Sequence, residues 1–291
     1  MGINDILIAP FADYAFMRRA LVACLILSIS GAPVGMFLNL RRMTLAGDAM
    51  SHAILPGVAV AFALWGIAVW PMTAAALAVG IFVAALAGVL TRVTQLREDS
   101  SVALVYLLSL AAGMAIISRA GSGVDLLHIL FGNILAIDES ALVLVAGTAT
   151  LTWVALGQIY RGLVIECMDP EFLQAAAGGR RGWTGPVFFM LIVGNLVAAF
   201  QALGTLMALG LILLPAIAAP FWVRSLGRMM AVACGIAAAG SYLGLLASYH
   251  LGLPAGPGVV LATGILCVAS VVFGAHGSLL RAYAEGRRAV L

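Results

Sequence analysis

Apolar residues fill this chain in blocks of roughly twenty, and charged positions fall almost entirely between the blocks. Such blocks predict membrane-crossing helices, because a helix rises about 1.5 Å per residue and the hydrocarbon core is about 30 Å thick. They lie at roughly 16–38, 50–70, 72–92, 101–118, 139–160, 186–203, 205–223, 228–249 and 257–276. The least clear division is at Gly204, since 186–223 is apolar throughout. A helix of about 38 residues would reach about 57 Å, too long for one crossing. The stretch therefore reads as two spans, or as one span and a broken half-helix. The first block is too long for a signal-peptide core and is flanked by Arg18, Arg19, Arg41 and Arg42, so it reads as a retained span.

Arginine placement chooses between the two divisions. With nine crossings and the N-terminus outside, Arg41, Arg42, Arg92, Arg97, Arg161, Arg180, Arg181, Arg224, Arg228, Arg281, Arg287 and Arg288 all fall inside. Only Arg18, Arg19 and Arg119 fall outside. Eight crossings would scatter them to both sides. The positive-inside bias thus predicts nine spans, N-out and C-in, with eight as the fallback. The expected fold is an all-α polytopic membrane helical bundle, one transmembrane domain over 1–291. Gly31/Gly35 and Gly240/Gly244 have the spacing that lets helices touch closely, or simply reflect the high glycine content of membrane helices.

Composition adds exclusions. The chain is 64% hydrophobic and 9% charged, against roughly 25% charged in a soluble domain. All 15 basic residues are arginine. Without lysine there is no P-loop, whose lysine must reach the β- and γ-phosphates, so the chain is not its own P-loop ATPase. Cys24, Cys167, Cys234 and Cys267 are scattered and form no C-x-x-C, as expected of small packed hydrophobes. The net charge of +3 is arginine in loops and gives no sign of a nucleic-acid partner. The partner that the composition does demand is a lipid bilayer.

The candidate chemistry lies in "RRMTLAGDAMSHAILPGVAVAF" (41–62). Asp48 and His52 are four apart, so on a helix they share a face, with Ser51 beside them. Pro56 cannot donate to the carbonyl of His52, which is expected to be free. Carboxylate and imidazole together suit a first-row divalent ion such as Zn²⁺ or Mn²⁺. Alternatively, Asp48 simply caps the second span and His52 is an interfacial residue. Two ligands are too few for a closed site, so others would come from other helices, a symmetry mate or water. Metal ligands must be deprotonated, so binding there should weaken as pH falls towards the ordinary imidazole range of about 6.5.

A second segment, "ECMDPEFLQAAAGGRRGWTGP" (166–186), falls inside. Asp169 is a good N-cap, Pro170 suits the first helical position, Glu171 suits the positive helix end and Gly178 can close the turn. A short helix at about 169–178 results, exposing Phe172 and Leu173 either to the membrane surface or to a partner. Elsewhere, His250 at the outer end of the eighth span, and His128 with Asp125 in an outer loop, are possible additional metal ligands on the way in, or plain interfacial residues. His276 is expected to be solvated. Asn195 and Gln201 are expected to bond between helices. Trp65, Trp70 and Trp153 are expected near span ends.

"RRMTLAGDAMSHAILPG" resembles the signature of the integral-membrane permease subunits of zinc/manganese ABC importers, a pattern close to R-R-M-x-L-x-G-D-A-x-S-H-A-x-L-P-G. "DLLHILFGNILAI" (125–137), "GTLMALGLILLPAIAA" (204–219) and "SYHLGLPAGPGVVLATGIL" (248–266) resemble further segments of that family, so the likeness covers nearly the whole chain. It implies a homodimeric permease, not an enzyme, in the bacterial cytoplasmic (inner) membrane. Asp48 and His52 would line the metal path, and the ion would be substrate rather than a permanently bound cofactor. Asp169, Pro170, Glu171, Phe172, Leu173 and Gly178 would form the coupling helix that docks on a separate cytoplasmic ABC ATPase. An extracytoplasmic metal-binding protein would deliver the ion. The region 18–57 looks closest to zinc-importing members, so Zn²⁺ is expected first and Mn²⁺ next, with Zn²⁺ also favoured by the Irving–Williams order. The rival reading is an ion-gradient-driven secondary metal transporter, which should show inverted repeats with broken helices. No clear internal repeat is present. An intramembrane enzyme is disfavoured by the lack of G-x-S-x-G and H-E-x-x-H. An importer of an organic solute on the same fold is a further rival.

Overall fold

The structure, a computed structural model, describes residues 7–66, 68–119, 137–168, 184–281 and 283. His128, Asp125 and the segment 169–178 lie outside the described residues. After a short helix α1 (Ala9–Asp13), the helices are α2 (Ala15–Leu40), α3 (Thr44–Ala53), α4 (Leu55–Trp65), α5 (Val69–Val93), α6 (Glu98–Arg119), α7 (Glu139–Met168), α8 (Thr184–Leu203), α9 (Thr205–Ala218), α10 (Leu226–Leu251) and α11 (Ala255–Phe273). Among the described residues, eight stretches are long and apolar enough to cross a membrane, α3 and α4 together forming one of them. The ninth apolar block, Thr205–Phe221, is shorter.

Side-chain and close-packing contacts give each helix a direction. Arg19 meets Glu139, and Arg41 meets Glu166, so α2 and α7 run the same way. Thr184 bonds to Glu166, and Asn195 to Thr152, so α8 runs back along α7. Gly31 packs on Ile212 and Asn39 bonds to Ala216, so α9 runs parallel to α2 and reverses α8. Gly240 packs on Thr263 and Gly244 on Val259, so α10 and α11 are antiparallel. Gly57 lies against Ala75, and Gly80 against Ile54, so α5 reverses α4. The successive pairs α4/α5, α7/α8, α8/α9 and α10/α11 therefore alternate, and Gly204, with φ of 85°, makes the reversal that the uninterrupted apolar stretch concealed. One end of the bundle collects Arg41, Arg42, Arg97, Arg224 and Arg228, and the other holds Arg18 and Arg19.

The small-residue spacing has a packing role. A side chain at Gly35 would strike the backbone of Ile212, and one at Gly244 the backbone of Val259. Backbones that approach this closely gain dispersion contacts that larger residues forbid. Two buried apolar clusters result. One joins α2 to α3–α8 around Phe37, Met50, Ile54, Phe188 and Ile192. The other joins α2 and α8 to α9, α10 and α11 around Leu27, Leu203, Met207, Leu211 and Leu245. Helices α2, α7, α8 and α9 contribute to both.

Several expected boundaries move. The second span begins at Thr44 rather than 50, because the chain turns sharply after α2 at Arg42, whose φ is 58°, and re-enters helix at once. Helix α7 continues to Met168, eight residues beyond expectation. Trp153 therefore sits at its middle rather than near a span end. Trp65 and Trp70 do stand at helix ends. Helix α6 begins at Glu98 and α8 at Thr184.

Candidate functional site

Helix α3 packs one face inward through Ala46, Ala49, Met50 and Ala53. Its other face carries Leu45, Asp48 and His52. Leu45 is 82% exposed and Asp48 55% exposed at the side chain, while His52 is about two-thirds covered. The described residues leave most of this face uncovered.

The i,i+4 geometry brings His52 Nε2 to 3.7 Å from Asp48 Oδ1. That is beyond a direct hydrogen bond. Two ligands each about 2.1 Å from one ion stand roughly 3.0–3.5 Å apart at bond angles of roughly 90–110°. A small rotation of either side chain would close the remaining gap. Ser51 is turned inward, donating to the Asp48 carbonyl at 2.7 Å. Among the described residues, no group of three or more His, Cys, Asp or Glu side chains gathers in one place.

Two sequence expectations here are corrected. Asp48 does not cap the helix: Met43 precedes it, and Asp48 stands in its second turn. The His52 carbonyl is not free either, since the Ile54 amide turns back to it. The carbonyl exposed by the break before Pro56 is that of Ala53, and the hydroxyl of Ser109 on α6 donates to it at 2.7 Å. Gly113, one turn further along α6, gives Pro56 the room it needs. Sequence reading missed this brace; the helix-breaking proline was visible, but its partner on another helix was not.

Depth follows from neighbours. Ile54 packs against Gly80, about midway along α5. His52 is thus close to mid-bundle, where ionisable residues are rare and mark function by default. His250 lies elsewhere, at the C-terminal end of α10, its ring edge-on to Tyr249. Tyr249 in turn meets Tyr14 at the start of α2, whereas α3 begins at the opposite end of α2. His250 and the Asp48–His52 pair are not brought together within one chain. His276 is half-buried and its amide donates to the Phe221 carbonyl at 2.8 Å. Asn195 is buried and bridges to Thr152 at 2.7 Å, the interhelical bond expected of it.

Near the other end of α2 lies a cluster that sequence reading also missed. The Arg41 side chain is only 9% exposed and its Nη2 stands 2.9 Å from Glu166 Oε2. The hydroxyl of Thr184 donates to the same carboxylate oxygen at 2.5 Å. The Arg41 guanidinium lies 5.0 Å from the centroid of the Phe188 ring, within cation–π range.

Comparison with known proteins now bears on these observations. The sequence profile of the ABC 3 transport family matches residues 13–274. The chain is 32% identical over 269 residues to the manganese import system permease protein ScaB of Streptococcus pneumoniae, covering 91% of this chain and 94% of that one. It is 31% identical over 270 residues to the chelated iron transport system membrane protein YfeD of Yersinia pestis, covering 91% and 87%. Its fold superposes on PsaBC from Streptococcus pneumoniae, solved in complex with Fab, with a TM-score of 0.80 and 28% identity over 95% of this chain and 98% of that one. With a profile match across most of its length, and helices that alternate as a membrane bundle requires, the chain belongs to the ABC 3 transport family and is a multi-pass membrane permease of that family.

Proposed function

We propose that this permease carries a divalent transition metal ion inward across the bacterial cytoplasmic membrane, with Asp48 and His52 as its ligands on the path. The single observation that carries this reading is the pair itself: a carboxylate and an imidazole 3.7 Å apart, near mid-bundle, on a helix face that the described residues leave largely uncovered. A second copy would cover that face. Two pairs meeting across a homodimer axis would give four protein ligands, with water completing a weak site. An ion in transit must be released, so a sparse, partly hydrated site suits transport.

Oxygen and imidazole donors without thiolate suit manganese as well as zinc. Relatives named for manganese and chelated iron support manganese ahead of zinc, reversing the order that the signature region suggested. ATP would be hydrolysed by a separate cytoplasmic subunit docked on 169–178, and an extracytoplasmic binding protein would deliver the ion. Membership of an ABC family counts against the gradient-driven rival.

The test is metal content and uptake in the assembled transporter for wild type, Asp48→Ala and His52→Ala, with expression and dimer formation checked. Each variant is expected to assemble and to lose at least about tenfold in uptake, as when one ligand's worth of binding, about 1.4 kcal/mol or more, is removed. Unchanged uptake in both would remove the pair from the path.

A further inference from the structure

We propose that Arg41, Glu166 and Thr184 form a clamp that ties both ends of the 169–183 segment to the hairpin bearing Asp48 and His52. The inference rests on the reading of that segment as the ATPase contact. Glu166 is three residues before the segment and Thr184 directly after it, yet the two side chains are hydrogen-bonded. The described residues that flank 169–183 on its two sides therefore meet at one point, and that point is ion-paired to Arg41. Arg41 closes α2, Arg42 makes the left-handed turn, and α3 starts two residues later with Asp48 in its second turn. A displacement of the segment by an ATPase would thus reach the hairpin of the metal pair through one carboxylate.

The energetics favour a positioning role over a stabilising one. A buried ion pair gains little net stability, because desolvation offsets the attraction. Here it is also imperfectly satisfied: Arg41 Nε has no hydrogen-bond partner among the described residues, and Nη2 meets Glu166 without an aligned N–H. Beside the pair, a cavity of about 260 Å³ lies between α5 and α8, lined by Arg41, Glu166, Gly185 and Pro186 with Gly88 and Thr91. The clamp has space to shift without breaking the surrounding apolar packing.

The experiment uses the complete transporter in proteoliposomes with Mn²⁺ as the probe and reads ATP hydrolysed per ion taken up. Glu166→Gln keeps the shape and removes the charge; Thr184→Val removes only the hydroxyl; Arg41→Glu with Glu166→Arg reverses the pair. Metal binding and ATPase association are expected to survive in Glu166→Gln and Thr184→Val. The ATP spent per ion should rise at least about threefold in Glu166→Gln and less in Thr184→Val, and fall back towards wild type in the reversed pair. A wild-type ratio in Glu166→Gln overturns the clamp. If that variant does not assemble, Thr184→Val decides, and an unchanged ratio there overturns it as well. Phe172→Asp separates the two layers. If Phe172→Asp leaves ATPase association intact, the reading of the segment fails. If it abolishes association while both clamp variants keep the wild-type ratio, only the clamp fails.

Discussion

Replacing Gly35 by alanine tests the helix contact at the centre of the bundle. The added Cβ would sit 2.9 Å from the carbonyl carbon of Ile212 and closer still to its oxygen, whereas ordinary contact begins at 3.4 Å. Because the obstacle is backbone, no rotamer change relieves it, and the carbonyl oxygen requires α2 and α9 to part by more than about 1 Å. Overpacking of this kind costs about 1–3 kcal/mol. The same separation stretches the Asn39–Ala216 hydrogen bond, already 3.2 Å long, and its loss adds about 1 kcal/mol. The expected total is about 2–4 kcal/mol, or a melting temperature lower by roughly 5–10 °C. The matched control is Gly147→Ala on α7, where nothing lies within 4 Å of the new atom. There alanine should leave stability unchanged or raise it by up to about 1 kcal/mol. Thermal unfolding of purified protein, followed by loss of the monodisperse peak, compares the two. Equal melting temperatures would refute the claim that α2 and α9 touch backbone to backbone.

Ser109→Ala removes the donor that satisfies Ala53 at the break before Pro56. It should cost about 1–3 kcal/mol and weaken metal retention measured by equilibrium dialysis, while the conservative Ser109→Thr should restore it. Asp138, just before α7, accepts hydrogen bonds from the Ala141 amide at 2.9 Å and the Ser140 hydroxyl at 2.7 Å, which hold its carboxyl below the usual carboxylate range. A lowered value in the folded state means that its stabilisation is complete above the ordinary carboxylate value of about 3.9 and disappears as pH falls through the lower folded value. Asp138→Ala should therefore lower stability by about 1 kcal/mol at neutral pH and make no difference in strong acid, as denaturation at several pH values would show. Metal dialysis of wild type at falling pH should show progressively weaker retention, because protons compete with the ion for its ligands; an unchanged affinity would argue against His52 as a ligand.

The spans were legible because bilayer thickness imposes a block length on any sequence that crosses it, and the arginines report on sidedness independently of helix propensity. The Asp48–His52 pairing was legible for a local reason: positions four apart on a helix meet whatever the rest of the chain does. What escaped was set by distant contacts. Thr44 starts α3 because Arg42 adopts a left-handed turn that arginine disfavours on its own, and no residue nearby announces it. Asp48 looked like a cap because its local chemistry fits one, but the hairpin geometry had already started the helix at Thr44. Glu166 read as a polar residue past a span end, and only folding shows that it faces Arg41. Nothing in the local sequence marks Ser109, whose hydroxyl reaches across to the Ala53 carbonyl at the break before Pro56.

Helix α9 has a consequence for how the protein is made. It spans 14 residues, about 21 Å of helix, and most of its side chains, from Thr205 to Ala218, are covered by other helices rather than by lipid. Of its covering partners, α2 is synthesised long before it, but the valine that packs on Gly210, Val260, belongs to α11 and emerges well after α9 itself. A nascent chain stopped before Ala255 would hold a short apolar hairpin with one flank bare, so the final docking of α9 waits on the synthesis of α11.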